Sequence, residues 1–287
     1  MGLSTLPPSN FKRAQSHRGL GFGSWRRNPQ AFSQRLLEVI PGAAALNTPI
    51  EIRSGVELPA LREEFTLKTA DGLNLVGELA LPVGKAPVAT LITLHPLPTH
   101  GGFMDSHILR KASNRLPELA SIAVLRFNTR GTESPRGKSE GIFGEGVTEQ
   151  HDVEAAIEFA KARNLPNLWL VGWSFGTELA LKYGADKDIV GAILLSPPLH
   201  RTNETDLDRW AGNPRSIVAL IPEFDDYLQP AEATSRFARI SHAEIIGVAG
   251  AKHLWVGESA TKRVLDEIVR QANPAAYPLP DSWSASE

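Results

Sequence analysis

The 287-residue chain contains no cysteine, no strong excess of either charge and no long hydrophobic run. Without cysteine it can form no disulfide, thiolate metal site or iron–sulfur cluster, and it has no cysteine nucleophile. A net charge of −2 lacks the basic excess typical of nucleic-acid binding, so we expect no nucleic-acid partner. No stretch approaches the roughly 18 apolar residues that a membrane-spanning helix requires, so we expect no membrane span.

The charge that is present is unevenly placed along the chain. Residues 1–37 hold six basic residues and no acidic one. We interpret residues 1–59 as a basic, partly disordered leader with a short helix that Asn28 caps and Pro29 begins. An acid-free leader is also typical of organelle import signals. We expect a cytoplasmic protein, with import into an organelle through residues 1–37 as the alternative. Whether the leader is cleaved, is disordered or results from a wrongly assigned start stays open.

Residues 60–273 show an alternation of strand-like and helix-like segments that predicts one α/β domain. The first two apolar-alternating segments, residues 65–69 and 73–81, flank an Asp-Gly pair and predict an N-terminal antiparallel hairpin. The segments that follow alternate between β-branched apolar runs and amphipathic helices. This order is typical of a mostly parallel twisted sheet with helices on both faces. Residues 274–287 are predicted to form an irregular surface tail.

The sequence Gly-Trp-Ser-Phe-Gly at residues 172–176 is the strongest candidate for a catalytic motif. It directly follows the buried strand predicted at residues 168–171, and it opens a helix. A strand-to-helix turn this sharp needs glycines on both sides, and it places the hydroxyl of Ser174 at a helix N-terminus. The amide of Phe175 then faces the oxygen that becomes negative during acyl transfer. The motif predicts Ser174 as a nucleophile.

A serine hydroxyl becomes a nucleophile only when a base, itself held by an acid, removes its proton. His253 lies in a loop after the last predicted strand and is the expected base. His242 precedes that strand and His200 lies upstream of any suitable acid, so both are weaker candidates. The acid is expected after the penultimate strand, where Asp225 is preferred and Asp226 is the alternative.

The loop after the strand predicted at residues 88–94 is expected to complete an oxyanion hole. Pro96 and Pro98 have no N–H to donate. The amide of Leu97 is therefore the expected second donor, together with that of Phe175.

Several apolar or aromatic residues lie close to these positions along the chain and could line a substrate pocket. Each of them is also typical of a core or wall position, and the histidine among them could buttress the loop instead. The candidate substrate-binding residues are His95, Trp173, Phe103, Met104 and Trp255.

Four pieces in this order resemble the α/β-hydrolase superfamily: residues 95–102, 126–131, 172–176 and 250–255. The combination is most similar to the small, nearly lidless bacterial serine hydrolases. The resemblance covers roughly residues 60–273 and implies a carboxylesterase- or thioesterase-like enzyme that acts on a small-molecule acyl substrate. Only about residues 200–214 are available for a lid, which predicts one short helix and an open pocket.

The sequence contains no nucleotide-binding glycine motif and no cluster with metal-ligand spacing, so we expect no cofactor and no metal. Two alternatives stay open within the same catalytic triad, a serine peptidase and a carbon–carbon bond hydrolase. A third alternative is a non-catalytic binding protein that has kept the fold. The physiological substrate and the oligomeric state stay open at this point.

Overall fold

The computed structural model describes residues 49–212 and 214–285. The basic segment at residues 1–37, and the helix expected from Asn28, therefore lie outside the described residues. Within the two described ranges, no helix is long and apolar enough to cross a membrane.

The secondary structure of the described residues follows the predicted alternation closely. The strands are β1 Ile50–Glu51, β2 Leu61–Lys68, β3 Asn74–Leu81, β4 Ala89–Leu94, β5 Ile122–Phe127, β6 Glu133–Ser134, β7 Gly137–Lys138, β8 Leu168–Trp173, β9 Ile189–Leu195, β10 Ser216–Phe224, β11 Glu244–Lys252 and β12 Ser282–Trp283. The α-helices are α1 His107–Ala120, α2 Gln150–Ala162, α3 Phe175–Tyr183, α4 Glu204–Ala211, α5 Pro230–Arg236 and α6 Glu258–Ala272.

The central sheet has eight strands in the order β11-β10-β9-β8-β4-β5-β3-β2. Strands β4, β5, β8, β9, β10 and β11 pair in parallel. Strands β2 and β3 form an antiparallel hairpin that adds to the β5 edge. Gly72, with a φ of 93°, lies in the turn of this hairpin, where a residue without a side chain adopts that conformation readily. The predicted α/β fold class with its N-terminal hairpin is confirmed.

The central strands are buried along their length because helices cover both faces of the sheet. Adjacent residues of a strand point to opposite faces. Ile92 of β4 therefore packs in the cluster that includes α2 and α3, whereas its neighbour Leu91 packs in the cluster that includes α1 and α6. Such continuous apolar strands are typical of parallel sheets.

The parallel strands bring their carboxyl ends to one edge of the sheet, which is where ligands bind in open α/β sheets. Leu97 follows β4 and Ser174 follows β8. Asp225 follows β10 and His253 follows β11. Four segments far apart in sequence thus meet at the same edge.

Strand β10 continues past Ile221 to Phe224, and strand β11 continues to Lys252. Proline rarely continues a strand, because it has no N–H to donate to the sheet. A register shift between Pro222 and Phe224 carries the strand through the proline, and Phe224 pairs with Lys252 of β11. His253 consequently follows its strand without an intervening loop.

A single short helix, α4, occupies the connection in which larger lids would be inserted. Asn203 and Asp206 form a reciprocal capping box at its start. The indole of Trp210 is fully buried, and its Nε1 donates a hydrogen bond to Leu181 O at 2.9 Å. Leu181 lies about two turns along α3 from Ser174. The helix therefore packs beside α3, and the predicted minimal lid is confirmed.

The segment after α6 is more ordered than the irregular tail we expected. It forms a 3-10 turn at Pro274–Ala276, and Leu279 is buried in the cluster that includes α6. Further on, β12 pairs antiparallel with β1. Within the part assigned to the leader, Leu58 is buried and its N–H donates to Asn114 O. Residues 50–58 thus contact the domain.

Candidate active site

The turn between β8 and α3 holds its central serine in a strained conformation. Ser174 has a φ of 52° and a ψ of −117°, and its N–H donates to Leu195 O at 2.9 Å. Such a backbone costs on the order of 1–3 kcal/mol for a residue with a side chain. A Cβ on Gly172 would lie 2.5 Å from Gly176 O, and one on Gly176 would lie 2.0 Å from Leu94 O. Both glycines are required because backbone passes directly over them.

The structure places Ser174, His253 and Asp225 in one hydrogen-bonded row. His253 Nε2 lies 2.9 Å from Ser174 Oγ, and His253 Nδ1 lies 2.9 Å from Asp225 Oδ2. An ionised carboxylate only accepts hydrogen bonds, so Nδ1 carries the proton of a neutral imidazole. The lone pair of Nε2 is then directed at the serine hydroxyl, which is the arrangement a general base requires.

The carboxylate in this row is Asp225 and not the alternative, Asp226. Its Oδ1 also accepts the backbone N–H of Tyr227 at 2.9 Å. Burial raises the pKa of Asp225, but the hydrogen bonds from His253 and from the Tyr227 amide together hold it below its ordinary value. Asp226 is exposed to solvent. Glu223, a third carboxylate in the same segment, accepts the N–H of Gly250 instead.

Three side chains hold the histidine segment by its carbonyl oxygens. The carbonyl of His253 accepts hydrogen bonds from Trp173 Nε1 at 3.1 Å and from Ser196 Oγ at 3.2 Å. The next carbonyl, that of Leu254, accepts one from His107 Nε2 at 2.7 Å. The sequence offered no signal for Ser196 or His107, because each contact joins residues far apart in the chain.

The two amides expected to form the oxyanion hole lie on ordered backbone. Phe175 is the first residue of α3, where an N–H has no partner inside the helix and the helix dipole favours negative charge. The carbonyl of Leu97 accepts from the N–H groups of His100 and Gly102, both at 3.0 Å, which fixes the turn. A Cβ on Gly102 would lie 2.1 Å from Pro96 O, so this turn also requires a glycine.

His95 supports the oxyanion turn from behind and does not reach a pocket. It is completely buried, its Nδ1 donates to Pro96 O at 2.7 Å, and its Nε2 accepts the N–H of Thr129 at 3.1 Å. Burial lowers the pKa of His95 to about 4, so the ring is neutral near pH 7. The assignment of His95 as a substrate-binding residue is therefore corrected.

Three other substrate-binding candidates are corrected for the same reason. The side chains of Trp173, Met104 and Trp255 are buried, and both tryptophans pack in the core beneath the sheet edge. They are close to the site along the chain, but their side chains point into the protein. Phe103 is half-buried.

The exposed apolar surface beside the candidate triad comes from two residues that no sequence motif predicts for the site. Tyr227 is 52% exposed, and its ring centroid lies 4.7 Å from that of His253. Leu254, which directly follows the histidine, is also largely exposed. Both follow polar residues in loops, so no periodic pattern marks them.

The described ranges contain no group of three or more histidine, aspartate or glutamate side chains that could hold a metal ion. The site instead combines a half-buried serine hydroxyl, an imidazole, a carboxylate and two backbone amides at one sheet edge. Chemically, this set can activate a hydroxyl and stabilise an oxyanion.

No protein-family model matches the sequence, and no curated protein matches it. Solved structures do match it. An α/β serine hydrolase homologue from Coxiella burnetii is 25% identical with a TM-score of 0.62, and the match covers 72% of this chain and 96% of that one. An α/β serine hydrolase without a lid from Xanthomonas campestris is 25% identical with a TM-score of 0.60, covering 78% of this chain and 99% of that one.

An esterase from Pyrococcus furiosus is 18% identical with a TM-score of 0.60, and the match covers 78% of this chain and 99% of that one. At that identity the likeness concerns the fold alone. The two bacterial serine hydrolases, at 25% identity, support a likeness in the kind of enzyme, a hydrolase, as well as in the fold. The chain thus has the α/β-hydrolase fold and resembles the serine hydrolases of that superfamily, including one that has no lid.

Proposed function

We propose that the protein is a cofactor-independent serine hydrolase that cleaves an ester or thioester through an acyl-enzyme. The observation that carries this proposal is the position of His253. Its Nε2 lies 2.9 Å from Ser174 Oγ, and its Nδ1 lies 2.9 Å from Asp225 Oδ2. The strained backbone at Ser174 supports it, because such strain persists where function requires it.

In the first half of the reaction, His253 Nε2 takes the proton of Ser174 as the oxygen attacks the acyl carbon. The carbonyl oxygen becomes negative and is stabilised by the amides of Phe175 and Leu97. The imidazolium then gives its proton to the leaving oxygen or sulfur, and the acyl-enzyme remains.

In the second half, water attacks the acyl-enzyme while His253 Nε2 again takes a proton. Collapse of this intermediate returns the proton to Ser174 and releases the acid. Throughout, Asp225 remains ionised, holds Nδ1–H and stabilises the imidazolium charge. Its lowered pKa supports this role, because the carboxylate is then ionised near pH 7.

The open edge of the sheet favours a small-molecule acyl substrate of small or extended shape. The α4 connection packs beside α3, anchored by Trp210 at Leu181, and the apolar surface near the base is exposed. Carboxylesterase and thioesterase activities both fit this site, because each transfers an acyl group to the same serine.

A fluorophosphonate probe tests whether Ser174 is activated. We expect covalent labelling of Ser174 in the folded protein and none in Ser174→Ala. A folded protein whose Ser174 stays unlabelled would support the alternative of a non-catalytic binding protein.

A panel of esters, thioesters, amides and a diketone that share one acyl group separates the alternatives within the triad. Preference for ester and thioester bonds supports the proposal. Faster cleavage of the amides would indicate a peptidase, and turnover of only a diketone substrate would indicate carbon–carbon bond hydrolysis. A cytoplasmic location, with import through residues 1–37 as the alternative, stays a prediction.

A further inference from the structure

Three aromatic rings form a row that begins at the candidate base. The Tyr227 ring lies edge to face with that of His253, with centroids 4.7 Å apart and planes at 71°. The His200 ring in turn packs against that of Tyr227, with centroids 5.4 Å apart and planes at 82°. Tyr227 is 52% exposed and His200 is exposed. An aromatic surface therefore extends from the imidazole into solvent.

The position of this row is set by the backbone that also holds the acid. The N–H of Tyr227 donates to Asp225 Oδ1, and the next residue, Leu228, is buried in the core. His200 follows Leu199, which has a φ of 56°, is buried, and accepts a hydrogen bond from Arg236 Nη2 at its carbonyl. Both rings are thus attached to anchored segments.

The chemistry of the proposed reaction determines which part of a substrate meets these rings. In the tetrahedral intermediate, the oxyanion points toward the amides of Phe175 and Leu97. The leaving-group atom must lie within about 3 Å of His253 Nε2 to receive its proton. The leaving group is therefore the substituent that lies alongside the imidazole, where Tyr227 is the neighbouring ring.

We propose that Tyr227 and His200 form a leaving-group subsite that selects aryl esters, in which the departing alcohol is a phenol. This inference rests on the proposed hydrolase function. Aromatic rings attract one another at centroid distances of about 4.5–7 Å. Because Tyr227 packs against the imidazole that protonates the leaving oxygen, we expect a phenol ring bonded to that oxygen to contact Tyr227.

The step balances without any further reactant. The bond between the acyl carbon and the phenol oxygen breaks, and its electron pair goes to that oxygen. The proton that His253 Nε2 took from Ser174 neutralises it, so the phenol leaves and the acyl group stays on Ser174 Oγ.

Phenyl acetate and hexafluoroisopropyl acetate test this subsite, because they share the acyl group and both have acidic alcohols, only one of which is aromatic. The quantity measured is the ratio of their kcat/KM values. We expect Tyr227→Leu to lower this ratio about 2- to 12-fold, the range of one aromatic pair. Tyr227→Phe keeps the ring and should keep the ratio.

A matched control is Tyr277→Leu, which removes a tyrosine that is 48% exposed in the segment after α6. It should leave both substrates unaffected. Free phenol should also inhibit the wild type competitively, and more weakly after Tyr227→Leu.

The ratio separates a subsite from a structural role, because damage to the Asp225–His253 pair slows both esters equally. An unchanged ratio in Tyr227→Leu, with turnover intact or reduced, would overturn the subsite alone. Absence of turnover together with absence of fluorophosphonate labelling at Ser174 would overturn the hydrolase function and the subsite with it.

Discussion

Trp173 donates a hydrogen bond from its indole Nε1 to the carbonyl oxygen of His253, at 3.1 Å. Because Trp173 directly precedes Ser174, this bond ties the segment of the base to the turn of the nucleophile. His107 packs edge-on against the same indole, with ring centroids 5.2 Å apart, and donates to Leu254 O. The distance between the base and the serine is therefore set by residues that take no part in proton transfer.

We expect Trp173→Phe to lower kcat about tenfold with little change in KM, because small misplacements of a catalytic group are costly. The free energy of unfolding should fall by about 1–3 kcal/mol. Trp210→Phe is the matched control, since it removes another buried indole bonded to a carbonyl, that of Leu181. It should cost similar stability and leave kcat unchanged. Equal losses of kcat in both variants would contradict the positioning role of Trp173.

Asp225→Asn should lower kcat about 10⁴-fold, because the amide no longer holds the imidazole in the required tautomer. Asp226→Asn, at the adjacent exposed position, should change kcat less than about twofold. Steady-state kinetics on one ester substrate would compare the two variants. A larger loss in Asp226→Asn would assign the acid to that residue instead.

The buried, neutral His95 makes stability depend on pH. An unfolded histidine titrates near pH 6.5, whereas burial lowers the pKa of His95 to about 4. The unfolded chain therefore binds more protons between these values, and stability falls as the pH is lowered from about 6.5 toward 4. The loss attributable to His95 should reach about 3 kcal/mol.

Urea unfolding at pH 7 and at pH 4.5 measures this loss. We expect His95→Gln to show a smaller difference between the two pH values than the wild type. His242→Gln, which removes an exposed histidine, should keep the full difference. If His95→Gln retained the wild-type difference, another group would be responsible for it.

Gly176→Ala should abolish most activity, because the added Cβ would lie 2.0 Å from Leu94 O. It should also lower the free energy of unfolding by at least the ~1–3 kcal/mol that is typical of overpacking. At Gly212, by contrast, no atom lies within 4 Å of an added Cβ. Gly212→Ala should therefore change stability by less than about 0.5 kcal/mol. Thermal unfolding and fluorophosphonate labelling of both variants test this contrast, and equal behaviour would mean that the turn can relax around the added methyl group.

Local patterns were sufficient for most of the fold. The runs Ile122–Phe127, in which Arg126 is the one charged residue, and Ile189–Leu195 coincide with strands at both ends, because polar residues flank each run. The turn at Ser174 was equally predictable, since its close backbone contacts leave room only for glycine at the positions two residues before and two residues after the serine.

The direction in which a side chain points could not be predicted from the sequence, because it depends on contacts between distant segments. Trp173 and Ser174 are adjacent, yet one is buried beneath the sheet edge and the other faces the site. The choice between Asp225 and Asp226 depended likewise on which carboxylate the loop turns toward His253. His107 is 147 residues from Leu254, so no spacing rule could connect them.

The pairing of β1 with β12 places Ile50 opposite Trp283. A linker of a few residues could therefore join residue 285 to residue 49, and the chain could be reopened at the exposed turn around Gly84. In such a circular permutant, the hairpin strand β2 and its partner β3 would become the last elements synthesised, while Ser174, Asp225 and His253 would keep their order. The pairing thus predicts that the domain's topology is separable from the point at which its chain begins.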